Sequence, residues 1–274
     1  MTINLRNSQI FRNLIIVAMI GIALFPTWIL IAISVKNTYQ FDINRWGMTF
    51  PFRLGNFSAA WEMVNGYMLN TVFVAGTGLL GVLIMSLIGG HVFAVLRFRL
   101  KEKLFLLIIA LLSVPFVLAF IPQYLLYNNL GLVNSRLALI IPNLANGPVF
   151  GIFLMRTAIA GIPKELYEAS RVDGANVFQD IYHVSLPLSL PAIATLSVFN
   201  FLGTWNWFLW PLVMITEKSK QLISVGLAKF DNRVFDSWGP EFAAYIIGSI
   251  PLVILFVYLG KYYVAGMVSS GLKM

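Results

Sequence analysis

Trp205, Asn206, Trp207 and Trp210, flanked by Phe201 and Phe208, bring aromatic faces and one amide together in a single short stretch. Aromatic faces stack on sugar rings, and an amide offers donors and an acceptor to sugar hydroxyls, so the chemistry on offer is recognition. The same residues also read as an interfacial aromatic belt, because Trp gathers at membrane boundaries. Asn206 is the most telling of the set, since an amide within an apolar span wants a polar partner. Bond-making chemistry has no visible seat. The chain has no Gly, four residues, Gly-Lys-Ser/Thr phosphate loop and no Gly-rich strand-to-helix turn. It also lacks a Ser/His/Asp set, a His-rich cluster or paired carboxylates in register for catalysis. Without a single cysteine, disulfides and thiolate metal sites are excluded. The expectation is a protein that is not an enzyme, with no catalytic residue, cofactor site or metal site of its own.

A second constellation lies in the polar stretch 163–187, which looks folded rather than slack. Pro163 suits the first position of a helix and Glu165 places negative charge in its first turn. Gly174 is a natural stop, free to take a left-handed conformation, and Asn176 with Gln179 three residues on reads as the cap of a second helix. That helix carries Val177, Phe178, Ile181 and Val184 on one side and should end before Pro187. Helices this short need something to pack on. Two readings stay open: the apolar side dips into the headgroups or folds back on the chain, or it docks a cytosolic partner.

The elements that must position these residues are membrane spans. The chain has 274 residues, 59% hydrophobic and 11% charged, where a soluble domain would show about a quarter charged. Its net charge of +8 could point to nucleic acid, but there is no nucleic-acid motif, and basic cytosolic loops explain the balance. About 20 apolar residues cross a hydrocarbon core of roughly 30 Å. Six stretches qualify, at about 14–35, 69–96, 104–126, 137–155, 188–215 and 242–259. The expected fold class is all-α, a polytopic membrane protein with six transmembrane helices in one domain over 1–274. Arg97, Arg99, Lys101 and Lys103 in the second short link, with Arg6 and Arg12 at the start, favour the cytosol. Both termini and the loop 163–187 then face the cytosol, and the segment 216–241 lies outside.

No Asp, Glu, Lys or Arg falls near a span centre in this assignment, which disfavours an ion-coupled carrier. His91, next to Gly89 and Gly90, reads first as a hydrogen-bonded packing residue where small neighbours allow close helix approach, and second as a proton relay. If the chain moves solute actively, the engine is another polypeptide.

Glu168, Ala169 and Ser170, then three residues, Gly174, nine residues, Val184, one residue, Leu186 and Pro187 resemble the EAA loop of binding-protein-dependent ABC importer permeases. In that pattern Ser170 replaces an Ala and Val184 an Ile. The resemblance runs nearly end to end and is to the carbohydrate-uptake type, including maltose-transporter-like inner-membrane subunits. It takes in Ser34, Val35 and Lys36 after the first span, Leu130 to Ser135 before the fourth, and Phe201 to Leu212 in the fifth. It continues through Val264 to Lys273 at the tail. Two departures stand out: Trp207 where many relatives carry an acidic residue, and Gly89-Gly90-His91 in place of Ala-Ala-Tyr.

The resemblance implies a type I ABC importer permease fold in the plasma (inner) membrane of a bacterium or archaeon. It implies a translocation subunit for a sugar or oligosaccharide delivered by an extracytoplasmic solute-binding protein. The partners implied are a second permease of different sequence, two ATPase subunits that carry ATP and Mg, and membrane lipid, with no nucleic acid. Glu168, Ala169, Ser170, Gly174, Val184, Leu186 and Pro187 would form the coupling helix seated in a cleft of the ATPase, with Glu168 near a basic residue there. Trp205, Asn206, Trp207 and Trp210 would lie along the substrate pathway, and the segment 216–241 would touch the binding protein. The alternative is an ATP-independent secondary carrier or channel for a small polar solute.

Overall fold

Inside a hydrocarbon slab a helix satisfies its backbone polar groups within its own segment. The computed structural model describes residues 3–229 and 238–271 and is helical throughout, with no strand among the described residues. The first half holds α1 (Ile3–Ser34), α2 (Thr38–Ile43), α3 (Gly55–Val95), α4 (Lys101–Ala110), α5 (Phe116–Asn129) and α6 (Leu137–Ala160). Then come α7 (Lys164–Val172), α8 (Val177–Asp180), α9 (Leu186–Leu188), α10 (Leu190–Trp205), α11 (Leu209–Met214), α12 (Ile223–Ala228) and α13 (Trp238–Gly271).

Among the described residues, four helices are long and apolar enough to cross a membrane: Gln9–Ser34 within α1, α3, α6 and Trp238–Tyr262 within α13. They hold the first, second, fourth and sixth expected spans. The other two are broken rather than straight. At 104–126, α4 and its 3-10 turn Leu111–Ser113 meet α5 at 92°. Pro115 has no amide hydrogen and forces the residue before it out of the helical region, and Val114 is extended at ψ 113°. At 188–215, α10 stops at Trp205 and α11 begins at Leu209. A helix continuing through this point would need Pro211 to donate to the Trp207 carbonyl; that carbonyl instead accepts the Ser224 hydroxyl at 2.7 Å. At its other end α10 meets the helix Val177–Leu188 at 79°, with Ser189 at the corner. If each bent pair crosses as one span, the total reaches six.

The chain packs as two compact units, one of Met1–Asn65 with Gly226–Ile250, the other of Gly66–Val225 with Pro251–Met274. The first is organised on Lys36, whose side chain is fully buried with its ammonium donating to the Asn44 carbonyl. Desolvation holds that ammonium below the usual lysine range. The Asn56 amide ties the Ser34 and Lys36 carbonyls together at 2.8 Å each, closing the end of α1.

The second unit is built on the seam between α3 and α6. A Cβ on Gly151 would stand 1.9 Å from Ser86 Oγ, and one on Gly90 would stand 2.4 Å from Met155 Cβ, so both helices are in contact at bare backbone. Small residues are how membrane helices gain packing, since lipid tails compete equally for apolar side chains. Val82, Met155, Ile159 and Leu196 fill one core around this seam, and Val74, Leu139, Trp210 and Met214 fill another.

Gly151→Ala is expected to destabilise the protein by about 1–3 kcal/mol, the usual cost of overfilling a packed core. Gly76→Ala, on the same seam helix but with nothing within 4 Å of the added carbon, is expected to leave stability unchanged or slightly raised. Thermal unfolding in detergent, followed by loss of the monodisperse peak on size exclusion, separates the two.

Candidate functional site

The loop after α6 folds as two helices joined by a tight corner. α7 starts behind Pro163 and closes where Asp173 N–H donates to Ala169 O and Ala175 N–H to Ser170 O, at 3.0 Å each. Gly174 turns the chain at φ +80°, the left-handed region that a side chain penalises. Asn176 then caps α8 in a complete capping box, with Gln179 N–H donating to Asn176 Oδ1 and Asn176 N–H to Gln179 Oε1.

The apolar side expected of this second helix is split. Ile181 is buried and Val184 is half-buried against the Met155 and Leu196 core, whereas Phe178 is 75% exposed and Val177 is also exposed. The helix does not follow an α register. Ile181–Ser185 form a π turn in which the Leu186 N–H reaches back to Ile181 O, and the wider turn shifts the phase of everything beyond it. The helix also runs one residue past Pro187, to Leu188, instead of ending before it. Phe178 and Tyr182 thus point outward beside Val172, three large side chains without an internal seat.

Under that surface runs a buried polar strap. Tyr167 OH lies 2.9 Å from Ser185 Oγ, which lies 2.8 Å from His91 Nδ1 on α3. All three side chains are at least 95% buried. Desolvation is the main cause that raises the Tyr167 hydroxyl above the usual tyrosine range, so it remains a donor. Ser170 donates to the buried Asp180 carboxylate, which fastens α7 to α8. Of the residues singled out by spacing, Glu168 and Ala169 are exposed on α7, and Gly174 and Pro187 are exposed on the turn and second helix. Ser170, Val184 and Leu186 are half-buried.

The aromatic stretch is dispersed in space. Trp210 is fully buried, with Nε1 donating to Ala138 O at 2.8 Å and its ring edge-on to Phe120 and Tyr127. Trp205 is buried and stacks on Phe201 at 5.4 Å. Asn206 caps the end of α10, its amide donating to Leu202 O at 3.0 Å. Trp207 alone of the four lines a cavity, of about 330 Å³, whose other walls include Phe116, Asn143, Asn146, Asn200 and Thr204. A neighbouring hollow of about 640 Å³ shares Phe116 and Asn146 and is otherwise mostly apolar.

Those amides were not singled out from the sequence. Their only signal is spacing: Asn143 and Asn146 sit three apart, Asn200 and Thr204 four apart, each pair on one face of an otherwise apolar helix. Asn200 Nδ2 donates to Asn143 Oδ1 at 2.9 Å, Asn143 Nδ2 to Thr204 Oγ1 at 2.8 Å, and Thr204 Oγ1 to Asn200 O at 3.0 Å. Asn200 Oδ1 is buried with no partner.

Beyond α11, Asn134 at φ +62° accepts from the Thr216 and Glu217 backbone amides at 2.7 and 2.9 Å. The hydrogen bond from Lys220, then that from Ser219, holds the exposed Glu217 carboxyl below its usual range. Residues 230–237, with Asp231, Arg233 and Asp236 of the expected outer segment, lie outside the described residues. So do Leu272 and Lys273 of the expected tail. No group of three His, Cys, Asp or Glu able to hold a metal occurs among the described residues.

Comparison with known proteins points one way. The family model described as "Binding-protein-dependent transport system inner membrane component" matches residues 85–269. The diacetylchitobiose uptake system permease protein NgcG of Streptomyces coelicolor is 30% identical over 248 residues, 89% of this chain and 82% of that protein. The arabinooligosaccharides transport system permease protein AraQ of Halalkalibacterium halodurans is 30% identical over 260 residues, 92% of each chain. In fold, the chain is similar to a solved bacterial ABC transporter involved in import of the acidic polysaccharide alginate. The TM-score is 0.83 at 23% identity, over 94% of this chain and 97% of that one.

Tyr167→Phe is expected to loosen the loop by about 0.5–1.5 kcal/mol, the net worth of one buried hydrogen bond. Amide hydrogen exchange over 164–185 should quicken severalfold, while Tyr182→Phe, which alters only an exposed side chain, should leave it unchanged.

Proposed function

Because this chain belongs to the family of binding-protein-dependent transport system inner membrane components, a multi-pass membrane family of permease subunits, we propose its place in the transport cycle as follows. It is the translocation subunit of an ATP-driven importer, moving a sugar or oligosaccharide that an extracytoplasmic solute-binding protein delivers. The named relatives, permeases of diacetylchitobiose and arabinooligosaccharide systems, support that solute class. Hydrolysis of ATP with Mg belongs to two separate ATPase subunits, and a second, different permease completes the pathway. The basic links after α1 and α3 favour both termini and the loop 163–187 facing the cytosol of a bacterial or archaeal cell.

The observation that carries this reading is the loop's exposed face. Glu168 and Ala169 stand in water, and Val172, Phe178 and Tyr182 lie bare beside them, on a chain with no nucleotide site of its own. Exposed large side chains grouped on a rigid element mark a partner surface. Glu168 supplies charge for a basic residue of the ATPase cleft, small Ala169 lets the surfaces close, and Gly174 fixes the angle between the helices. Ser170, Val184, Leu186 and Pro187 act from behind, holding that face in shape.

Force then follows packing. When the ATPases draw together, α7 and the helix from Val177 to Leu188 travel as one body, since the Ser170 to Asp180 and Tyr167 to Ser185 contacts oppose relative motion. The Ser185 to His91 contact hands the displacement to α3. The breaks at Ser189, Pro115 and Asn206 let short segments swing without bending a whole span. Differential contact with the ATPases in their open and closed states shifts the permease population between outward- and inward-facing forms. Trp207 lies along the solute pathway, with Trp205, Asn206 and Trp210 fixing the segment that carries it.

Glu168→Lys and Gly174→Pro are expected to leave membrane insertion intact and to lower ATP-dependent sugar uptake in vesicles at least tenfold while ATP hydrolysis continues. Phe178→Asp is expected to reduce co-purification of the ATPase subunits in mild detergent. Normal uptake in the first two variants, or full recovery of ATPase chains with the third, would remove the loop from this role.

A further inference from the structure

The amide relay between α6 and α10 is unusual for what it leaves undone. A span that uses Asn only to hold its neighbour would match donors with acceptors and hide both. Here the relay closes on itself through Asn143 and Thr204 yet strands Asn200 Oδ1, an acceptor buried at the cavity wall with no donor. Asn146, one turn along α6, makes no hydrogen bond and presents its side chain, exposed, in the same wall. Helix packing needs neither group. Both fit a ligand that brings hydroxyl donors and acceptors.

The relay is also held rigid before any ligand arrives. A Cβ on Gly78 would stand 2.6 Å from Asn143 Nδ2 and one on Gly147 would stand 3.0 Å from Asn200 Nδ2, so two glycines make the space in which these amides are fixed. Rigidity of this kind lowers the ordering cost of binding. Phe116, Phe199 and Trp207 supply apolar wall, as sugar sites require for the C–H faces of the ring. No Asp, Glu, Lys or Arg lines the cavity. A charged solute would shed its hydration there without a counter-charge, whereas a polyol exchanges water hydrogen bonds for amide ones.

We propose that this cavity is a subsite for one uncharged, hydroxyl-bearing sugar ring, bound through Asn146 and Asn200 Oδ1 against the Trp207 wall. The assignment rests on the importer reading above and narrows it: neutral saccharides pass, and acidic ones find no partner on this wall. The volume of about 330 Å³ stands at the small end of the range of roughly 300–1,000 Å³ for small-molecule sites, which suits a single ring. A longer saccharide would extend into the adjoining hollow beyond Phe116 and Asn146.

The test uses the assembled transporter, with its ATPases, second permease and binding protein, in vesicles supplied with lactose, raffinose and diacetylchitobiose, and digalacturonate as the acidic probe. The wild type is expected to take up at least one neutral sugar and to exclude digalacturonate. Asn146→Leu, which breaks no internal bond, and Asn200→Leu are each expected to slow neutral uptake fivefold or more, with ATPase activity retained. Because the chain has no native cysteine, Asn146→Cys gives it a single thiol; the transported sugar should slow its maleimide labelling fivefold or more. ATP-dependent uptake of none of the four probes by the wild type would overturn the importer reading itself. Uptake of a neutral sugar that stays within twofold of wild type in Asn146→Leu, labelling that no transported sugar slows, or digalacturonate uptake at the neutral rate would each overturn the subsite and leave the importer standing.

Discussion

Close approach of α3 and α6 along bare glycine is the constraint on which the second unit depends. In water, burying apolar surface would drive two such helices together; in lipid it does not, and dispersion at short range must replace it. That is why a single methyl group matters at Gly90 or Gly151, where Met155 and Ser86 already occupy the space. The same seam has polar business at both ends. Gly78 clears room for the Asn143 amide, and thirteen residues on, or about 20 Å along the helix, His91 meets Ser185 under the docking loop.

This arrangement joins two surfaces that have no residue in common. A shift of the loop acts on His91, and α3 is clamped to α6 over the intervening turns, so a displacement has no soft place to dissipate before the helix that carries Asn143 and Asn146. Flexibility is confined instead to the breaks. Ser189 turns the loop helix into α10, and Pro115 turns α4 into α5, whose Phe116 forms one wall of the cavity. Stiff seam and hinged neighbours are what alternating exposure of a central site demands.

Much of this was legible in the sequence, and the boundary of legibility follows a physical line. Gly174 and the Asn176–Gln179 box were readable because their partners lie within four residues. The long apolar runs announced four spans because length alone decides them. Proline was ambiguous: Pro26, Pro122, Pro142, Pro148 and Pro251 sit inside helices, while Pro115 breaks one. What settles the difference is the surrounding packing, not the residue. Partners far along the chain left no trace at all. Ser185 meets His91 across 94 positions and Asn200 meets Asn143 across 57, distances at which spacing carries no information. The reading of His91 as a packing residue agrees with its burial, but its partner could come only from coordinates.

The π turn over Ile181–Ser185 has a consequence for how such a protein diversifies. A regular helix locks its two sides in phase, so a residue chosen for a cytosolic neighbour dictates, a turn later, what faces the lipid-embedded core. One widened turn cancels that obligation. Phe178 and Tyr182 can be exchanged to suit a different motor while Ile181 and Val184 keep their berth, and the single extra step in the spiral behaves as a clutch between two independently tunable faces.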